Sequence, residues 1–446
     1  MDNVTHGLAG LLLADATIAA TASRTGRDVP EKFRKAALIL GFVAAEFPDV
    51  DVFYSGSLPA LKSLGYMLHH RGYTHTVVWS LLFAIMLFGI TRWWVKRGLS
   101  GQDASWFAER GWKPLLALAF VASVSHLVLD YTNSYGLHPF WPLDDSWYFG
   151  DAIFIVEPWL WIVAIPAIFW ERRHRSVRTI LLLLALAIVA LGWSMQELAA
   201  AVAIVLTVFL LLWLFVQKRL GQRGRAVSGI AAWLLVTLVF FAGARSARAA
   251  LMSAVQSAGA DSAAVLAMGF PQPENRDHLV DAALVPTVSD PSCWSAVVVT
   301  TDGVFYRVSN AVIAPWPRLR NVLSCRTGYV RALERQNTVS RLPEVSRISP
   351  YATTAAVWWR DIWVVPRSEM RALAEERCEV VAALRFMRMP VWTEEADGTI
   401  NISDARFGVG SGFAHVAIPG RPATCSLTRA WVPPWVPARL DMIYAE

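Results

Sequence analysis

The sequence predicts a multi-spanning α-helical membrane bundle of about eight helices, followed by a β-rich α+β soluble domain. Three observations carry this. The 446 residues are 55% hydrophobic and only 17% charged, well below the roughly 25% charge of an average soluble domain. Nearly all the long apolar runs fall before residue 244, and the remainder has ordinary mixed polarity. The Lys and Arg residues before 244 sit mainly in short loops between apolar runs, where membrane topology places them. The boundaries that follow are 1–244 for a membrane-embedded domain and 245–446 for an extracytoplasmic β-rich domain.

Runs able to cross about 30 Å of hydrocarbon are Tyr73–Val95, Leu115–Tyr131, Ile153–Trp170, Thr179–Met195, Leu198–Val216 and Ala226–Ala244. Leu8–Ala22 and Ala36–Val52 are weaker, being interrupted by acidic residues, and bring the count to eight. Basic loops at Arg24–Lys35, Arg92–Lys113, Arg172–Arg178 and Lys218–Arg225 alternate with base-poor loops, as eight crossings require. The basic loops go to the cytoplasm, so the N-terminus and the domain from Arg245 onward lie on the outer side of the membrane. The acidic, polar N-terminus does not read as a cleavable signal peptide.

In the C-terminal part, Ser295–Thr300 and Val304–Val308 flank a Thr-Asp-Gly turn and read as a hairpin. Ala355–Val365 and Arg385–Thr393 are further strands, and Arg367–Glu376 is a short helix. All four cysteines (Cys293, Cys325, Cys378, Cys425) lie in this part, on the side where disulfides persist, with three pairings open. The net charge of +6 is spread without a basic block, which argues against a nucleic-acid partner.

Ionisable side chains near or inside membrane segments are costly and mark functional sites. Here they are numerous and of one chemical kind. His6 opens the first run, and Glu46, Asp49 and Asp51 close the second, where Pro48 breaks the helix. His69, His70 and His75 enter the third, His126 and Asp130 share a helix face near the end of the fourth, and Asp151 and Glu157 enter the fifth. Charge counting, which ignores these residues, brings all five clusters to the external end of the bundle. Imidazoles and carboxylates at one level of a bundle suit one or two divalent ions, zinc first, with manganese or iron as further candidates. His138, in a loop, and His174, in a basic cytoplasmic turn, read as ordinary, and His278 and His415, in the C-terminal part and without partner spacing, read as structural.

Five stretches occur together within residues 1–160: Thr5-His6-Gly7-Leu8-Ala9-Gly10; Pro48-Asp49-Val50-Asp51; His70-Arg71-Gly72-Tyr73-Thr74-His75; His126-Leu127-Val128-Leu129-Asp130 with Asn133-Ser134-Tyr135-Gly136; and Gly150-Asp151 leading to Glu157-Pro158-Trp159. This set resembles the inner-membrane metal-dependent hydrolase family, the group that includes LexA-regulated, membrane-associated members. Glu157 stands where that family is expected to carry Asp. The resemblance implies a chemistry rather than a substrate. His6, Asp49, Asp51, His70, His75, His126 and Asp130 are the expected metal ligands, lowering the pKa of a bound water and polarising the scissile bond. Asp151 or Glu157 is the expected general base or ligand-orienting group. Arg71 is expected either to clamp a phosphate or carboxylate or to snorkel to the interface.

A site at the outer membrane–water boundary fits a membrane lipid or lipid-linked, amphipathic substrate cut at a phosphoester or ester bond. Trp141, Trp147, Trp159 and Trp161 fit an interfacial belt. The external domain has no partner legible in the sequence. No Gly-x-Ser-x-Gly elbow is present, Gly410-Ser411-Gly412 lacking the spacing, and no nucleotide-binding glycine pattern appears. A metal or proton transporter and a metal-stabilised scaffold are the competing readings. A transport path would place ionisable groups at the midplane and both ends, whereas these lie at one end.

Overall fold

The computed structural model describes residues 1–56, 62–194, 200–257, 278–326, 345–346, 353–410, 414–420 and 439. Cys425, Ser411, Gly412, and Met195 and Leu198 at the ends of two expected runs lie outside them. Two compact units divide the chain. One comprises Met1–Val50, Arg71–Asp144 and Tyr148–Val239; the other comprises Asp51–His70, Asp145–Trp147 and Phe240–Glu446.

The first unit is helical. Helix α1 (Asn3–Thr25) starts where Asp2 accepts from the Thr5 amide, and ends at Gly26 in the left-handed region. Helix α2 (Glu31–Glu46) lies against it so closely that a side chain at Gly10 would strike the Gly41 carbonyl. A methyl group at either glycine would push the two helices apart. Two short helices, α3 (Val52–Ser55) and α4 (Lys62–His69), belong to the other unit. The chain continues through α5 (Val77–Arg97), α6 (Gly101–Trp106) and α7 (Trp112–Tyr131), the last two joined by a π-helical turn over Phe107–Gly111. It goes on through α8 (Pro158–Glu171), α9 (Arg175–Ser194), α10 (Ala200–Arg219) and α11 (Gln222–Ser257), of which the part from Phe240 belongs to the other unit. Helix α7 packs on α1, α2 and α5, and α8 packs on α1, α9 and α10. A buried ion pair between Asp15 and Arg172 ties the middle of α1 to the end of α8.

Among the described residues, six helices are long and apolar enough to cross a membrane: Asn3–Thr25, Val77–Arg97, Gly101–Tyr131, Arg175–Ser194, Ala200–Arg219 and Gln222–Gln256. Their outward faces carry exposed apolar residues such as Ile85, Leu183, Leu211 and Leu238, which suits a lipid surround. The other two expected spans form shorter helices. The α2 helix is 16 residues and stops at Glu46, because Pro48 cannot continue it and Phe47–Asp51 becomes a 3-10 turn. The α8 helix is 14 residues and starts only at Pro158, with Glu157 as its cap, so Ile153–Glu157 is not helical. The third expected run also begins late: Tyr73–His75 is a 3-10 turn, and Thr76 caps α5 by accepting from the Trp79 amide.

The second unit contains the sheets. Strands β1 (His278–Thr287), β2 (Asp290–Thr301), β3 (Phe305–Ile313), β4 (Val345–Ser346) and β5 (Val357–Pro366) form an antiparallel sheet in the order β1-β2-β3-β5-β4. The expected hairpin is β2–β3, turned at Asp302, whose carboxylate accepts from the Val304 and Phe305 amides, and at Gly303 with φ 90°. Helix α12 (Arg367–Glu376) has the expected bounds, and α13 (Cys378–Ala383) follows. The expected strand Arg385–Thr393 is corrected to β6 (Pro390–Glu394). Arg385, Phe386 and Met387 instead prolong the turn after α13, donating their amides back to Ala382 and Ala383. Strands β7 (Ile400–Asp404) and β8 (His415–Ile418) complete the second sheet, β6-β7-β8. The Tyr306 hydroxyl donates to the Pro390 carbonyl, and Trp363 meets Trp392 edge to face at 4.6 Å, joining the two sheets through aromatic side chains. Cys293 and Cys325 form a disulfide, and Cys378 is also disulfide-bonded.

Candidate metal centre

Two breaks in helical structure and one continuous helix place the site. Asp49 lies in the 3-10 turn that Pro48 forces at the end of α2. His75 ends the 3-10 turn before α5. His126 and Asp130 lie one turn apart on α7, on the face turned into the bundle.

Their side-chain atoms converge. His75 Nε2 is 3.1 Å from His126 Nε2, 3.2 Å from Asp49 Oδ1 and 3.2 Å from Asp130 Oδ2. His126 Nε2 is 3.5 Å from Asp49 Oδ1 and 3.3 Å from Asp130 Oδ2. A four-coordinate ion with ligand bonds of about 2.0–2.1 Å has tetrahedral edges of about 3.3–3.4 Å, and the five separations bracket that length.

The donor chemistry agrees with the spacing. His126 Nδ1 is 2.6 Å from the Ala45 carbonyl, which only accepts, so that nitrogen carries the proton and Nε2 presents a lone pair. His75 Nδ1 is held by Thr74 Oγ1 at 3.0 Å. Asp130 Oδ2 is buried and makes no hydrogen bond among the described residues. A proton on His75 Nε2 serves only one of its three close neighbours. Lone pairs and carboxylate oxygens facing one another at this distance repel, and a cation between them removes the conflict. The four residues therefore fit a divalent ion.

The neighbours of the group are defined. The ring of His6 stacks on His126 with centroids 3.7 Å apart, and its Nε2 is 3.4 Å from Asp130 Oδ1. Neither His6 nitrogen makes a hydrogen bond among the described residues. His6 thus lies beside the four-residue group rather than in it. Asn3 donates to Asp49 Oδ2 at 3.3 Å and to Glu46 Oε2 at 3.1 Å, fixing the Asp49 oxygen that faces away from the histidines. Arg71 Nη2 is 2.7 Å from Asp130 Oδ1, and the Met1 amino group also pairs with that oxygen.

The remaining expected residues have other surroundings. Asp51, fully buried, pairs with His70 Nδ1 at 2.9 Å, and the His70 ring stacks on Tyr66. Asp151 is buried with φ 48°, its amide donating to the Asn133 carbonyl. Glu157 is buried and accepts from the Trp159 amide as the cap of α8. Trp161 is not part of an exposed belt. It is buried and donates to Thr5, packing α8 on α1. His138 is buried too, although its loop position suggested nothing of the kind. Burial, and then the nearby His75, push its imidazole down to about 3, so it is neutral at physiological pH.

Sequence reading did not single out Asn3, Thr74 or the Ala45 carbonyl. Their roles depend on orientation: a neutral amide, a hydroxyl and a backbone oxygen carry no pattern until the helices pack. Comparison with curated proteins and with solved structures finds no match. Residues 1–219, which hold the whole four-residue group, are similar to the family model described as YdjM inner membrane protein; together with the long apolar helices, this similarity supports a membrane protein.

Proposed function

We propose that this chain is a membrane-bound metal-dependent hydrolase whose ion is held by Asp49, His75, His126 and Asp130. The observation that carries the reading is the convergence of these two imidazole nitrogens and two carboxylate oxygens at tetrahedral spacing. Mixed nitrogen and oxygen donors at that spacing favour zinc. When bound, such an ion acidifies water and polarises a phosphoryl or carbonyl oxygen.

The chain's own groups supply the rest. Thr74 and the Ala45 carbonyl set the ring orientation of His75 and His126. Asn3 fixes the rotation of the Asp49 carboxylate. Asp151 and Glu157 are the buried carboxyl groups proposed to take up the proton from water. The five motif clusters, the charge asymmetry of the loops and the burial of the site in a membrane bundle support an extracytoplasmic location. They also support an amphipathic substrate with a phosphoester or ester bond. On this reading the sheet-containing region is periplasmic.

The test is metal content of detergent-purified protein beside His75→Ala and Asp130→Ala, followed by cleavage assays on phosphoester and ester lipids. One ion per chain in the wild type, lost in both variants, with lipid cleavage that Asp151→Asn or Glu157→Gln slows while the ion is retained, is the expected result. Two ions per chain would bring Asp51 and His70 into a second site. No bound metal after reconstitution with excess zinc, manganese or iron would overturn the hydrolase reading. Metal uptake into vesicles without cleavage would replace it with transport.

A further inference from the structure

Arg71, between the motif histidines, invites the role of a clamp for a substrate anion. Its surroundings give it a different one. The side chain is only 3% exposed. Besides the 2.7 Å pairing of Nη2 with Asp130 Oδ1, Nη1 donates to Asn133 Oδ1 at 3.1 Å, to the Gly136 carbonyl at 3.2 Å and to the Asp130 carbonyl at 3.4 Å. Its Cζ lies 4.3 Å above the Tyr135 ring. The backbone of Arg71 takes φ 60°, a left-handed conformation that a non-glycine residue adopts only when its surroundings hold it there.

The receiving loop is built with equal care. Asn133 Oδ1 also accepts from the Tyr135 amide at 2.9 Å, and the Asn133 carbonyl accepts from the Asp151 amide. Gly136 has φ 86° and lies against the Phe149 ring where a side chain would clash, and Gly150 meets the Tyr131 carbonyl in the same way. The motif Asn133-Ser134-Tyr135-Gly136 with Gly150-Asp151 thus forms a socket for one guanidinium.

We infer that Arg71 is a positioning residue for Asp130 and does not bind the substrate's anion; this rests on the metal reading above. A carboxylate bound through Oδ1 has its rotation fixed, so Oδ2 is presented to His75 and His126. The planar fork of arginine meets the Asp130 carboxylate, the Asn133 amide oxygen and the Gly136 carbonyl at once, which the point charge of lysine does not. The loop motif acts on the metal group through Arg71.

The experiment measures zinc affinity by chelator competition on the full chain in detergent, for Arg71→Gln, Arg71→Lys and Asn133→Ala, with lipid-cleavage kinetics where activity is found. Weakening of about tenfold to a hundredfold is expected for Arg71→Gln, less for Arg71→Lys, and severalfold for Asn133→Ala, which leaves the charge pair intact. A folded Arg71→Gln protein with wild-type zinc affinity would overturn the inference. So would an Arg71→Lys protein whose KM alone rises, because that is the mark of a substrate clamp. Should Arg71→Gln fail to fold, unchanged affinity in Asn133→Ala decides against it. A metal-free thermal cycle of Arg71→Gln, Asp130→Asn and the double variant separates this inference from the metal reading. Non-additive melting shifts support the pairing even if wild type binds no ion, and additive shifts refute it.

Discussion

Carboxylates of the sheet-containing unit and those of the candidate metal centre in the helical unit are neutralised in different ways. In the sheet-containing unit Asp281 faces Arg388 and Arg439, Asp290 faces Arg320, and Asp404 faces Arg406. In each, guanidinium donors meet carboxylate acceptors, two arginines meeting the one carboxylate of Asp281. In the helical unit Asp49 and Asp130 meet imidazole nitrogens, and His75 and His126 turn Nε2 towards each other at 3.1 Å. Arg71 neutralises one oxygen of Asp130 and leaves the other facing the histidines. A buried polar cluster whose charges close internally holds a fold together, whereas one whose lone pairs converge without a proton to share is shaped for a cation.

Removing a member from each kind of cluster sharpens the contrast. The largest effect is expected in the helical unit: Asp49→Asn and His126→Ala should each weaken zinc binding by on the order of a hundredfold or more, since each removes one of four ligands. Chelator competition reads this, and wild-type affinity in either variant would break the comparison. In the sheet unit Arg406→Gln should leave zinc affinity unchanged but destabilise that unit by about 3–5 kcal/mol, because Asp404 keeps its buried charge without the guanidinium. Denaturant unfolding followed by near-ultraviolet absorption of the tryptophans near β6 would show it.

The smallest effect is one of pH. Burial raises the Asp281 carboxyl, but hydrogen bonds and charge from Arg388, with Arg439, outweigh it and hold the group at about 2. A carboxylate whose folded pKa is depressed contributes stability that is fully present above its unfolded value near 4. That stability is lost as pH falls through the folded value, an expected loss of about 2 kcal/mol between pH 5 and pH 2. Asp281→Asn should flatten this part of the stability profile without touching zinc affinity. An unchanged profile would mean that Arg388 and Arg439 pair with Asp281 without stabilising it.

The aromatic-rich strands and the Asp302-Gly303 turn were legible because alternation and turn chemistry are local. Helix α12 was readable for the same reason. The expected strand at Arg385 failed because the amides of Arg385 to Met387 close a helical turn, a choice no propensity decides. The lengths of α2 and α8 depended on Pro48 and Pro158, whose breaking effect is local, but the hydropathy pattern ran through both.

Residue types, spacing and order determined a great deal by themselves. Apolar run length gave the membrane part, Lys and Arg placement gave its expected orientation, and histidines and carboxylates at the run ends gave the candidate metal-donor set. Packing alone decided which of those side chains meet. It selected Asp49, His75, His126 and Asp130 as one group, placed His6 against the His126 ring, and turned Arg71 inward onto Asp130. The reason is geometric: a ligand set is defined by separations of about 3 Å, and the packing of α7 against both α2 and α5 brings residues 49, 75, 126 and 130 within that reach.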